Sequence, residues 1–202
     1  MGSSPTPGIS QITNMPWLIV TLGYFIGSIP TAYIAGRLLK GKDIRRMGDA
    51  NMGAANAFRQ LGARVGITVG IIDAAKGALA IVIAQLANVS QLAVLATGVA
   101  VIVGHNWPVF LHFRGGRGEA TTIGVLLAVL TVPMLIIAGP AIAAHFILKD
   151  TLKAASFIFV PLPLVCWWLD MPGILIGYSI ALPCLVGFTH FLRRREAAAR
   201  RA

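Results

Sequence analysis

Apolar runs separated by short polar punctuation fill this chain, at approximately 16–39, 62–88, 91–111, 120–138, 139–149, 153–169 and 172–192. A helix needs about 20 apolar residues to cross a bilayer. The pattern predicts an all-α polytopic membrane bundle of seven transmembrane helices. The middle of the chain is the hardest part to divide. Pro133 and Pro140 interrupt an apolar stretch running from Ile123 to Leu148, long for one span and short for two. We read two helices there with a tight turn near 131–140, since proline-broken helices are tolerated in membranes when neighbours satisfy the freed backbone groups.

Composition agrees with that reading. Of 202 residues, 56% are hydrophobic and only 12% charged, and the mean hydropathy is +0.78. A soluble domain of this length has no interior large enough for so much apolar surface. Residues 1–15 are polar and rich in Ser, Pro and Gly, and read as a flexible tail. Residues 16–196 form a single transmembrane domain, and 197–202 a basic tail. The first apolar run has no basic segment before it, so no cleaved signal peptide is read.

The net charge of +10 would suggest nucleic acid in a soluble protein. In a membrane protein it marks the cytoplasmic side. With seven spans and the N-terminus outside, the inner segments are about 37–64, 112–119, 145–153 and 193–202. They hold every Lys and Arg except Lys76, and the outer turns hold none. A six-span reading places either the early or the late charges on the wrong side. The expected location is a bacterial cell membrane, multi-pass, with a cytoplasmic C-terminus. Cys166 and Cys184 sit in apolar runs without metal-ligand spacing, and the four histidines are scattered, so no metal or cofactor is expected.

Four polar constellations then fall on the inner face. Residues 104–122, GHNWPVFLHFRGGRGEATT, place Arg114 and Arg117 on a turn with Gly115, Gly116 and Gly118. Glycine backbone N–H groups can converge on an anion there, and arginines can fork onto its oxygens. A helix starting at Glu119 would add the partial positive charge of its N-terminus. His105 reads equally as a phosphate donor or as a satisfied helix end. The loop 43–59, DIRRMGDANMGAANAFR, spaces Asn51, Asn56 and Arg59 among small residues, which suits close packing around a ligand. Asp73 and Lys76 share a helix face and pair, and ionisable groups within a span mark a working site or a structural ion pair. Gly27 and Ser28 suit close helix packing, and Arg37, nine residues on, is placed to snorkel. His145 and Asp150 match the HxxxxD pattern of another acyltransferase class, a match too short to carry that assignment.

Taken together, GSIPTAYIAGR (27–37), GDANMGAANAFR (48–59), IIDAAKG (71–77) and GHNWPVFLHFRGGRGEAT (104–121) resemble, in order and spacing, the acyl-phosphate:glycerol-3-phosphate acyltransferases, the PlsY family. The resemblance runs from about residue 17 to 196. It implies transfer of a fatty acyl group from acyl phosphate to the 1-hydroxyl of glycerol 3-phosphate, giving lysophosphatidate and phosphate in phospholipid synthesis. No cofactor or nucleic acid is implied; the partners are the two phosphates and the bilayer, and a monomer is assumed. Ser28, Asn51, Arg59 and His190 are the implied catalytic residues. Arg37, Asp49, Asn56, Lys76, His105, Arg114, Gly115, Gly116, Arg117, Gly118, Thr121 and Arg193 are the implied substrate and phosphate contacts.

The chain departs from the family pattern at several of these positions. Asp49-Ala50-Asn51 stands for the usual SGN, and Ala55 for a threonine. Arg114 and Arg117 stand for lysines, Glu119 for an apolar residue, and Arg193 for an asparagine. A carboxylate at position 49 would repel phosphate unless an arginine pairs with it; Arg59 is the expected partner. The alternative reading is a divergent member with another phosphate acceptor, or a non-catalytic binder of lipid precursors. A small organic-phosphate transporter should show an inverted repeat with matched broken helices, and the glycine-rich blocks cluster instead in residues 27–121.

Overall fold

A computed structural model describes residues 15–148 and 151–199, with side chains at 15–143 and 155–195. The expected tails at 1–15 and 197–202, Met15 apart, and the His145–Asp150 pair lie outside the described side chains. Every regular element among the described residues is helical. In chain order they are α1 (Pro16–Ser28), α2 (Thr31–Lys40), α3 (Ala54–Leu61), α4 (Ala63–Leu86), α5 (Gln91–Asn106), α6 (Glu119–Val129), α7 (Thr131–Leu148), α8 (Thr151–Phe159), α9 (Leu162–Trp168) and α10 (Gly173–Ala199).

Four segments are long and apolar enough to cross a membrane: Pro16–Lys40, Ala63–Leu86, Gln91–Leu111 and Gly173–Arg195. Three shorter apolar ones are Glu119–Val129, Thr131–Ala143 and Ala155–Trp168. Large apolar side chains such as Trp17, Ile71, Leu86, Val132, Trp167 and Trp168 remain exposed on the bundle, as lipid-facing residues must.

One expected boundary is corrected. The apolar stretch after Glu119 breaks at Leu130, not over 131–140. Pro133 falls in the first turn of α7, where the missing N–H leaves no helix bond unmade. Pro140 is carried inside the helix.

Glycine brings two helix pairs into backbone contact. A Cβ at Gly27 would collide with the Val101 carbonyl on α5, and one at Gly104 with the Tyr24 carbonyl on α1. A Cβ at Gly77 would meet the Thr121 carbonyl, and one at Gly124 the Ala74 carbonyl, which locks α4 to α6. Small residues allow such approach where lipid gives helices no hydrophobic reason to associate. The main core, including Ile81, Val101, Ile102, Leu126, Leu130 and Leu182, fills the bundle. A second, smaller core of Ala32, Ile44, Met52, Ala57, Leu61, Val69 and Leu111 lies under the 43–59 loop. Buried Ile44, Met52 and Ala57 pin that loop to the ends of α2 and α4, and this fixes one wall of the site.

Candidate active site

The 43–59 loop begins with a charge cluster. Asp43 Oδ1 accepts from the Arg45 backbone N–H at 3.1 Å and from Arg45 Nε at 3.0 Å. Its Oδ2 takes Arg45 Nη2 at 2.8 Å and Arg37 Nη2 at 3.0 Å. The Arg45 side-chain hydrogen bonds hold the Asp43 carboxyl down at about 2. Tyr33 carries both cations, with Arg45 4.6 Å and Arg37 5.5 Å from its ring centre. Arg37, an expected substrate contact, is therefore engaged by Asp43 and Tyr33.

Further along, Asn56 is fully buried. Its amide donates to the Met47 carbonyl at 3.1 Å and the Asn51 carbonyl at 2.9 Å. It shapes the loop from inside, which is a different task from the expected substrate contact. Asp49 Oδ2 takes two guanidinia, Arg59 Nη2 at 3.2 Å and Arg117 Nη2 at 3.0 Å. The expected Arg59 pairing is present, and Arg117 joins it.

The glycine turn is built differently from expectation. The Gly115 N–H donates to the Asn106 carbonyl at 3.1 Å and the Gly116 N–H to the His105 carbonyl at 3.1 Å. Those two groups fold the turn back onto the end of α5, and they are not directed at an anion. A Cβ at Gly116 would strike His105 Nε2, and one at Gly115 the His105 carbonyl. Gly118 takes φ +80° and leads into α6. The N–H groups left over in this segment are those of the first turn of α6, which have no intrahelical acceptor, and Glu119 stands in that turn.

Two cavities open between these segments. The larger, about 300 Å³, is lined from Asp43 to Met52 by the loop, by Arg114, Gly115 and Arg117 of the turn, and by Arg193 of α10. Five arginines face two carboxylates there, an excess of three positive charges that suits a phosphate dianion. The smaller, about 110 Å³, is bounded by Asn51, Gly53, Asp73, His105, Arg117, His190 and the start of α6. Asn51 and Arg117 belong to both walls. Arg117 Nε and His190 Nε2 are buried without a protein partner. Arg193 Nη2 donates to the Asn106 carbonyl at 2.8 Å, so the α10 end is tied to the same turn.

Lys76 has another use than the expected phosphate contact. It is buried, with its ammonium 2.8 Å from Asp73 Oδ1 and 3.1 Å from the Ile29 carbonyl. Ser28 is fully buried and its hydroxyl donates to the Tyr24 carbonyl at 2.9 Å. It borders, with His105, Gly115 and Gly116, a crevice of about 10 Å³, too small for a substrate. Thr121 is buried with its hydroxyl unpartnered.

A family model described as glycerol-3-phosphate acyltransferase matches residues 17–201. The chain belongs to the glycerol-3-phosphate acyltransferase family. It is an integral membrane acyltransferase. Glycerol-3-phosphate acyltransferase 4 of Dehalococcoides mccartyi (strain ATCC BAA-2266 / KCTC 15142 / 195) is 48% identical over 182 residues, covering 90% of this chain and 98% of the relative. Glycerol-3-phosphate acyltransferase 2 of Moorella thermoacetica is 52% identical over 113 residues, 55% of this chain and 58% of the relative. The fold matches the crystal structure of PlsY (YgiH), an integral membrane glycerol 3-phosphate acyltransferase, in its glycerol 3-phosphate form. That match has a TM-score of 0.79 and 27% identity, and covers 92% of this chain and 93% of PlsY. The lysophosphatidic acid form of PlsY gives a TM-score of 0.74 at 26% identity with the same coverage.

Arg45 and Arg46, which line the larger cavity, are not among the expected substrate contacts. The Arg-Arg pair in the polar loop is the available signal for them. Asp73, expected to mark either a working site or a structural ion pair, is paired with Lys76 and lines the smaller cavity.

Ala50 lines the larger cavity with φ +57°. A Cβ disfavours this left-handed region by roughly 1–2 kcal/mol. Ala50→Gly removes that penalty and gains chain entropy in the unfolded state, so a net stabilisation of about 0.5–1 kcal/mol is expected. Thermal unfolding in detergent measures it; a lower Tm would contradict the strain.

Proposed function

We propose that this acyltransferase moves a fatty acyl group from acyl phosphate to the 1-hydroxyl of glycerol 3-phosphate, without a cofactor, as an early step of phospholipid synthesis. The observation that carries the proposal is the pair of adjoining cavities that share Asn51 and Arg117. Two phosphate substrates held on either side of one arginine meet at short range. The larger, arginine-rich cavity takes the acyl phosphate head. The smaller takes glycerol 3-phosphate, its phosphate on Arg117 and His190.

The hydroxyl oxygen attacks the acyl carbonyl carbon. The bond from that carbon to the bridging phosphate oxygen breaks, and phosphate leaves with the electron pair. The hydroxyl proton passes to a phosphate oxygen, so lysophosphatidate and inorganic phosphate form in balance. Acyl phosphate is a mixed anhydride with a good leaving group. The protein's work is chiefly to hold two anions together and to stabilise charge at the carbonyl. Asn51 and Arg117, common to both walls, supply that stabilisation. Arg59 and Arg193 hold the loop and the α10 end in place.

Purified protein supplied with acyl phosphate and glycerol 3-phosphate should release phosphate and form lysophosphatidate together. Phosphate release without lysophosphatidate would remove the acceptor assignment.

The orientation belongs to the same proposal. The chain has seven crossings, made by the four long apolar segments together with the three shorter apolar helices, with the N-terminus outside, the C-terminus in the cytoplasm and both cavities on the cytoplasmic face. The charge distribution supports this. In a background with Cys166 and Cys184 replaced by alanine, a cysteine at Ser90 should label from outside intact cells and one at Ala198 should not. The reverse pattern would invert the topology.

A further inference from the structure

Asp73 is the buried charge for which acyl transfer, as set out above, has no task. It is 1% exposed. One carboxylate oxygen is heavily used. Oδ1 accepts from the Thr31 hydroxyl at 2.9 Å and pairs with Lys76 Nζ at 2.8 Å, while His105 Nδ1 stands at 3.6 Å, beyond hydrogen-bond range. The other oxygen, Oδ2, is buried and has no protein donor. Asp73 also forms part of the wall of the smaller cavity. A buried carboxylate oxygen left without a donor is costly, and here the cavity is where a donor can be brought.

The chemistry of that donor is constrained. A carboxylate repels phosphate, so the ligand's anionic end lies at Arg117 and His190, away from Asp73 and from Glu119 at the start of α6. The end at Asp73 carries a neutral donor, and in a sugar-alcohol phosphate that donor is a hydroxyl. The position also separates the two hydroxyls of the acceptor. Transfer takes place across the shared residues Asn51 and Arg117. Of the two cavities, Asp73 lines the smaller and not the larger, so the hydroxyl held there is the one that does not react.

We propose that Asp73 Oδ2 accepts a hydrogen bond from the non-reacting 2-hydroxyl of the acceptor, which makes Asp73 a specificity-determining residue for a diol phosphate. The inference rests on the reading of the smaller cavity as the acceptor site. Thr31 and Lys76 hold Oδ1 and so aim Oδ2.

The test compares glycerol 3-phosphate with 3-hydroxypropyl phosphate, which keeps the reacting hydroxyl and lacks the 2-hydroxyl. The native enzyme should prefer glycerol 3-phosphate by about 10- to 100-fold in kcat/KM, the range of one hydrogen bond to a charged group. In Asp73→Ala combined with Lys76→Met, which leaves no lone buried charge, the preference should shrink toward unity. Elution and thermal unfolding in detergent report whether that variant folds. Should it fail to fold, Asp73→Asn combined with Lys76→Gln keeps the shape without a lone charge, and the preference should fall to the roughly 2- to 10-fold of a neutral hydrogen bond. Thr31→Val, which touches only Oδ1, should keep most of the preference. Equal use of both acceptors by the native enzyme would overturn the proposal, as would an unchanged preference in the Asp73 variants. Failure of the native enzyme to acylate either acceptor would instead overturn the acceptor-site reading beneath it.

Discussion

Arg117→Ala is expected to lower kcat/KM for both acyl phosphate and glycerol 3-phosphate by about 10-fold to more than 100-fold. Arg117 borders both cavities. One of its nitrogens, Nη2, holds Asp49 at 3.0 Å, and its Nε is buried with no protein partner. The side chain thus retains an unspent donor in a site built for anions. Loss of a charge-assisted hydrogen bond in a desolvated site costs about 1.5–3 kcal/mol, which is the fold-change given. Arg117→Lys restores the charge but has a single point donor in place of a fork, so it should recover a large part of the loss and not all of it. Steady-state kinetics with each substrate varied in turn make the measurement. Unchanged kinetics in Arg117→Ala would take the turn out of the site.

Asp49→Ser is expected to lower acylation of glycerol 3-phosphate by roughly 5- to 10-fold. The Asp49 carboxylate joins two guanidinia from segments far apart in sequence. Its partners are partly exposed, so each pair alone stabilises by no more than about 1 kcal/mol. Together they set where Arg117 points. Removing the carboxylate leaves two like charges facing each other beside the phosphate site. The double change Asp49→Ser with Arg117→Lys restores the hydroxyl and ammonium of the family pattern. It should regain most of the activity lost by the single change, because the two departures compensate one another. A clear rise in activity for Asp49→Ser alone would show that the carboxylate obstructs glycerol 3-phosphate, and would favour another natural acceptor.

The pairing of Asp49 with Arg59 was legible because both lie in one loop. The Arg117 partner was not, since 68 residues separate it from Asp49 and only the fold brings them together. The glycine turn illustrates the opposite limit. Its composition marked an anion site, yet two of its N–H groups are spent on the carbonyls of His105 and Asn106. Glycine is needed there because His105 occupies the space of a side chain. The sequence pattern of close approach is the same whether the approaching group is a ligand or the chain itself. The family resemblance implies a phosphate contact at Lys76, whereas its ammonium is held by Asp73 and a backbone carbonyl. Its carbonyl partner, Ile29, carries no sequence signal at all. The helix boundary at Leu130 was missed because prolines were read as turn markers, when both sit inside α7.

The break between α1 and α2 has a consequence for how the helices settle against one another in the membrane. Pro30 has no N–H, and the Ile29 carbonyl receives the Lys76 ammonium from α4. Asp73 holds the same ammonium from within α4, so the contact with Ile29 ties a neutralised pair to an interrupted backbone. In lipid both gain from that meeting. The depth of the break in the bilayer is thereby set by α4.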